Sequence, residues 1–117
     1  MIIDCHGHYT TAPKELQAYR DAQIAGLSDR SRAPEVARKG PVNISDDQIR
    51  ESLENAQLKL QRERGTDLTL FSPRASAMGH HIGDATTSLQ WTQVSKKMLL
   101  RIRSVSNGRF MSCARPR

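Results

Sequence analysis

The stretch MIIDCHGH, residues 1–8, joins a short apolar run to two histidines that stand two positions apart. Side chains at positions i and i+2 of a β-strand point to the same face, so His6 and His8 can direct their imidazoles at one point. Neutral imidazole is a common protein ligand for zinc and similar metals, so the pair predicts part of a metal site. The alternative is a surface turn that carries two histidines by chance. Asp4 fits either a carboxylate that orients a ligand ring or an ordinary strand-end residue.

Strand and helix patterns follow one another along the chain, beginning with this stretch. The predicted elements are a buried strand at 2–5, a helix from about 12 to 26, a helix at 46–64, a strand at 66–71 and a helix at about 88–103. The order strand, helix, strand predicts an α/β fold in which the two strands are parallel neighbours joined by a right-handed crossover.

The helix at 46–64 has the clearest signals. Ser45 and Gln48 form a capping-box pattern, and Gly65 is suited to end the helix. Apolar residues at helical spacing predict the face that packs on the sheet, and they are Ile49, Leu53, Ala56 and Leu60.

Charge and composition argue against several classes of partner. The formal charge of the 117 residues is +6, but the seven basic residues of 96–117 stand in a segment without any acid. The basicity therefore belongs to a tail rather than to one face of a domain, which argues against nucleic-acid binding. Neither a membrane-spanning run nor a signal peptide is recognisable, and Cys5 and Cys113 give no disulfide framework. The sequence thus predicts a cytoplasmic protein with no nucleic-acid and no membrane partner.

A second group of polar residues follows the second predicted strand. In a parallel sheet, residues after each strand gather at the carboxyl edge, where sites form. Ser72 can donate a hydrogen bond there, and the planar fork of Arg74 suits a substrate carboxylate. His80 and His81 are adjacent, so at most one of them is expected in the site.

Arg74 also has structural interpretations. It could cap a helix end, or it could form an ion pair with Asp67 or Asp84. These alternatives stand beside the substrate role.

Three segments of the sequence resemble a known family. They are IDCHGHYTTAP at 3–13, GTDLTLFSPRAS at 65–76 and HHIGD at 80–84. They resemble the N-terminal part of the 4-oxalomesaconate hydratases, which belong to the amidohydrolase-2 family of metal-dependent TIM barrels. The resemblance implies a zinc-dependent hydro-lyase of aromatic-acid (protocatechuate or gallate) catabolism. Such an enzyme adds water to the carbon–carbon double bond of 4-oxalomesaconate, a small polycarboxylate. His6 and His8 match the first two zinc ligands of the family.

The same resemblance suggests a substrate contact by Arg74. Ser72 and His81 are further candidates because they follow the second predicted strand. The resemblance covers residues 1–95, and the Arg-rich segment 96–117 departs from it. A complete (β/α)₈ barrel needs about 250 residues. We therefore expect the first two βα units of a partial barrel over 1–95, followed by a basic tail with an aberrant or truncated ending.

Such a fragment is expected to be inactive alone, because the family takes further zinc and acid–base groups from later strands. Exposed strand edges would favour a homo-oligomer. Two other functions stay open. One is a stand-alone α/β metal-binding module, with His6, His8 and one of His80 or His81 forming the site. The other is an anion- or nucleic-acid-binding protein that acts through its basic tail.

Overall fold

The computed structural model describes residues 1–29, 31, 43–79 and 81–112, with the backbone alone at 75 and 76. Its elements, in chain order, are β1 (Ile3–His8), α1 (Lys14–Ser28), α2 (Asp46–Glu54), α3 (Gln57–Glu63), β2 (Leu68–Ser72), a 3-10 turn (Ala75–Met78), α4 (Ala85–Val105) and β3 (Phe110–Ser112). No helix in these ranges is long and apolar enough to span a membrane.

The three strands form one parallel sheet in the order β1, β2, β3. Ile3 stands opposite Leu68, and Leu70 stands opposite Met111. The predicted parallel pairing of the first two strands and the α/β fold class are confirmed. A three-stranded parallel sheet with its helices is the arrangement expected for part of a (β/α)₈ barrel.

The core lies between one face of this sheet and the helices. Phe71 of β2 and Phe110 of β3 are both fully buried there, with their rings stacked at a centroid distance of 4.4 Å. Ile49 and Leu53 of α2 and Ile102 of α4 pack into the same cluster.

The expected helix 46–64 is two helices. The capping box at Ser45 is present as predicted, with both of its hydrogen bonds. At Ala56, however, φ is −136° and ψ is −85°. These angles lie outside the helical region, so Ala56 separates α2 from α3. The break changes the helical phase, so Leu58 is buried whereas Leu60, predicted to face the sheet, is 45% exposed.

β1 also differs from the prediction. The strand runs on to include both histidines, and residues 2–6 are exposed rather than buried. In the part of the chain that the structure describes, β1 pairs with β2 alone, and Ile3 lies on the sheet face that the described helices leave open. Cys5, expected inside a buried strand, is likewise exposed.

The basic segment is not a separate tail in its described part. α4 continues through residue 105, so the predicted boundary at 95 falls inside a helix. Asn107 and Gly108, both with positive φ, then turn the chain into β3, which the sequence reading missed. Residues 113–117 lie outside the described ranges.

Candidate metal-binding site

His6 and His8 lie side by side at the carboxyl end of β1. Their ring centroids are 5.1 Å apart, and their planes are nearly perpendicular at 88°. Two imidazoles on one tetrahedral zinc, with Zn–N bonds of about 2.1 Å, place their ring centroids about 5 Å apart. The spacing of the two rings therefore fits ligation of a common metal ion.

The ring of His8 is held by Ser72. The two residues are opposite each other in the parallel register of β1 and β2. Ser72 Oγ lies 2.9 Å from His8 Nδ1, and the carbonyl oxygen of Ser72 lies 3.3 Å from the same nitrogen. Ser72 was predicted to contact substrate, but its hydroxyl group lies within hydrogen-bonding distance of the His8 ring.

Two further side chains shape the strand around the histidines. The carboxylate of Asp4 accepts a hydrogen bond from the backbone N–H of His6 at 3.1 Å, where β1 carries one extra residue relative to β2. Asp4 therefore supports the bulged backbone, and in the described structure its carboxylate forms no hydrogen bond with a histidine ring. Gln57 donates to the carbonyl oxygen of His8 at 2.7 Å and accepts from Thr11, which ties the end of β1 to α3. No sequence signal pointed to Gln57.

His6 and His8 alone do not make a complete metal site. Among the residues the structure describes, no group of three His, Cys, Asp or Glu side chains could hold a metal ion. His81 is exposed on the loop before α4, and His80 lies outside the described ranges. The structure thus unites His6 and His8 and does not bring His81 to them.

Arg74 lies beyond the end of β2 with an exposed side chain. Its backbone carbonyl accepts a hydrogen bond from Trp91 Nε1 at 2.9 Å, which fixes the main chain at that point. Its guanidinium forms no ion pair with the described residues. Of its two proposed partners, Asp67 accepts from the backbone N–H of Ile2, and Asp84 caps α4.

Arg74 and Ser72 both line a cleft of about 550 Å³ at this edge of the sheet. Arg20 of α1 lines it too, and its Nε donates to the carbonyl oxygen of Ala77 at 2.6 Å. Arg20 was not predicted as a site residue, because nothing in the sequence of the first helix indicates that its side chain reaches this cleft. The lining contains no Asp or Glu, so the cleft has a positive character.

Known proteins with high similarity to this chain include two hydratases. The sequence is 46% identical over 102 residues to 2-keto-4-carboxy-3-hexenedioate hydratase from Sphingobium sp., a match that covers 87% of this chain and 28% of the relative. The structure superposes on 4-oxalomesaconate hydratase, LigJ, from Rhodopseudomonas palustris with a TM-score of 0.83 and 44% identity. The chain is homologous to part of 4-oxalomesaconate hydratase. No family model matches the sequence.

The similarity to 4-oxalomesaconate hydratase extends past the predicted limit at residue 95. The structural match covers 98% of this chain, so it takes in α4 and β3 and not the preceding elements alone. The structural match thus reaches beyond residue 95, where the resemblance of the sequence was expected to end. The chain spans about a third of the length of these relatives: 28% of one and 33% of the other.

Proposed function

We propose that this chain supplies the first part of the metal and substrate sites of a hydratase. The reaction is addition of water to the carbon–carbon double bond of 4-oxalomesaconate in aromatic-acid catabolism. The observation that supports this best is the pair of adjacent imidazoles of His6 and His8, in a chain that is homologous to such hydratases.

The donor set suits a divalent metal, and the family resemblance suggests zinc. His6 and His8 would hold the ion through imidazole nitrogens, the ligands that zinc shares with other borderline metals. A bound metal of this kind supplies Lewis acidity, by which a substrate oxygen is polarised or the pKa of a water is lowered. A catalytic zinc normally takes three protein ligands and a water. The described residues bring two such ligands together, so we expect this chain to be inactive alone.

The cleft at the carboxyl edge suits a small polycarboxylate. Arg74 is exposed there and its guanidinium is available, so we propose that it binds a substrate carboxylate in a bidentate manner. Arg20 lines the same cleft. Its Nε donates to the carbonyl oxygen of Ala77 and its Nη1 lies 3.9 Å from the carboxylate of Asp21, so we propose that Nη2 contacts a second carboxylate. A substrate role for His81 and a cytoplasmic location stay predictions of the sequence.

The alternative functions have less support. A stand-alone metal module needs a third ligand from His80 or His81, and His81 does not join the pair in the described structure. A nucleic-acid binder would need the basic segment to be available. Instead, Arg101 of that segment is bonded to Asp46 at 2.6 Å and to the carbonyl oxygen of Ile44.

A chimeric enzyme tests the proposal. This chain replaces the matching third of the Rhodopseudomonas hydratase, and hydration of 4-oxalomesaconate is followed by loss of substrate. We expect hydratase activity that falls at least about 100-fold in His6→Ala and His8→Ala. Arg74→Ala should raise KM more than it lowers kcat. The control is Lys97→Ala on the exposed side of α4, which should change neither constant. Activity that survives loss of both histidines would contradict the proposal.

A further inference from the structure

The contact between Ser72 and His8 places two oxygen atoms around one ring nitrogen. Ser72 Oγ and the Ser72 carbonyl oxygen lie 2.9 Å and 3.3 Å from His8 Nδ1. His8 is half-buried, and Ser72 is half-buried beside it. In the described part of the chain, the ring of His6 makes no such hydrogen bond and contacts the ring of His8 instead. The two candidate ligands are therefore held in different ways.

The direction of these hydrogen bonds follows from the groups that form them. A carbonyl oxygen can only accept, so its contact with His8 requires a proton on Nδ1. The hydroxyl of Ser72 can give its own proton to the carbonyl oxygen of Gly7, 3.5 Å away, and accept from Nδ1 at the same time. Both oxygens thus favour the tautomer with the proton on Nδ1, in which Nε2 keeps its lone pair.

We propose that Ser72 is a positioning residue that holds His8 in the Nδ1–H tautomer, so that Nε2 is the atom offered to a divalent metal. The inference rests on the proposed function, because it gives His8 the role of a metal ligand. It revises the expected role of Ser72, which acts through His8 and not on the substrate. Hydrogen bonds to the second ring nitrogen of a metal-binding histidine fix both its tautomer and its ring plane, and their loss typically weakens metal affinity about 10–100-fold.

Ring ¹⁵N chemical shifts test the tautomer without any metal. The spectra are recorded on the whole chain at about pH 8, above the ordinary histidine pKa of about 6.5. We expect the Nδ1–H form for His8. In Ser72→Ala the carbonyl oxygen of residue 72 stays at its longer distance, so we expect a mixture with a substantial Nε2–H population. The signals of His6 serve as an internal reference and should not change tautomer.

Two further variants keep the result interpretable. Ser72→Thr retains the hydroxyl and should retain the Nδ1–H form of His8. If circular dichroism shows that Ser72→Ala does not fold, Ser72→Gly removes the hydroxyl instead. The Nε2–H form of His8 in the unchanged chain would overturn the proposal whatever the variants do. Unaltered His8 shifts in a folded Ser72→Ala chain would overturn it as well.

Addition of Zn²⁺ to the same samples separates this inference from the proposed function. If zinc leaves the signals of His6 and His8 unchanged, the metal role is contradicted while the tautomer result stands. If zinc shifts both sets of signals, we expect Ser72→Ala to weaken the apparent affinity at least about 10-fold, with Ser72→Thr close to the unchanged chain. Equal affinity in Ser72→Ala would contradict the positioning role alone.

Discussion

Gly7 lies so close to Phe71 that a Cβ atom on the glycine would stand 2.6 Å from Cδ1 of the ring. The same atom would stand 2.5 Å from Cγ2 of Thr69. Gly7 is the residue between the two histidines, so its lack of a side chain lets β1 lie against β2 at the point where His6 and His8 are presented. The structural role of Gly7 is this close approach of β1 to β2.

Gly7→Ala is therefore expected to destabilise the fold. The added methyl group must displace Phe71 or Thr69, and overpacking of this kind typically costs about 1–3 kcal/mol. Urea unfolding followed by circular dichroism measures the change in the free energy of unfolding. Leu89→Ala is the control, because Leu89 is 59% exposed on α4 and should change stability by less than about 0.5 kcal/mol. Equal stability of the two variants would refute the close approach of Gly7.

Ser45→Ala should weaken the start of α2. Ser45 accepts from the backbone N–H of Gln48 at 3.1 Å, and the Gln48 side chain accepts from the backbone N–H of Ser45 at 2.8 Å. Loss of such a cap typically costs about 1 kcal/mol. Ser104→Ala, the same substitution at an exposed position inside α4, is the matched control. Thermal unfolding of both variants gives the comparison, and an equal midpoint for the two would count against the cap.

The free energy of unfolding should decrease at alkaline pH because Tyr9 is buried. Burial raises the pKa of Tyr9 above its ordinary value, while the hydrogen bond with Ser52 and the charge of Arg101 lower it by less. Burial also raises the pKa of Tyr19. Because the folded pKa is raised, the contribution of Tyr9 to stability is complete below the unfolded pKa of about 10 and is lost as the pH rises through the folded value.

Ultraviolet titration of single-tyrosine variants measures these two pKa values. Tyr19→Phe leaves Tyr9 as the reporter, and Tyr9→Phe leaves Tyr19. We expect each remaining tyrosine to ionise above pH 10 in the folded chain and near pH 10 in urea. A folded-state value for Tyr9 at or below its value in urea would contradict the burial of its hydroxyl group.

Self-association is the expected behaviour of the chain in solution. On the sheet face away from the helices, Ile3 is 48% exposed and Met111 is 37% exposed, and among the described residues strands β1 and β3 each pair on one side only. Exposed apolar surface and unpaired strand edges promote association. Analytical ultracentrifugation should show oligomers that decrease in Ile3→Lys and Met111→Lys. Leu89→Lys adds the same charge on α4 and should leave the oligomers in place. A concentration-independent monomer would refute this prediction.

The sequence predicted the parts of the fold that depend on local patterns. The capping box at Ser45 and the alternation of strand and helix patterns predict α2, β1 and β2 from the sequence alone. The break at Ala56 was not predictable, because it divides one continuous helical stripe without a proline or a glycine. β3 was missed although Asn107 and Gly108 form a typical turn signal, since its three residues are too short for a periodic pattern.

In the candidate site too, the features that depend on local sequence were predictable and the contacts between distant residues were not. The spacing of His6 and His8 follows from strand geometry and could be read directly. The hydrogen bond between Ser72 and His8, which are 64 positions apart in the chain, depends on the register between β1 and β2, which no local pattern fixes. Arg74 lies at the carboxyl edge of the sheet, as its position after β2 predicts. His81 does not join His6 and His8, because its position along the chain before α4 does not determine where it lies in the fold.

Equilibrium dialysis of the chain against Zn²⁺ tests most directly whether His6 and His8 form a metal site. The unchanged chain is compared with His6→Ala, His8→Ala and His81→Ala at one protein concentration. We expect zinc binding that weakens at least about 10-fold on loss of either His6 or His8 and stays the same on loss of His81. Binding that is unaffected by removal of His6 and of His8, or that depends on His81 instead, would contradict the metal site described for β1.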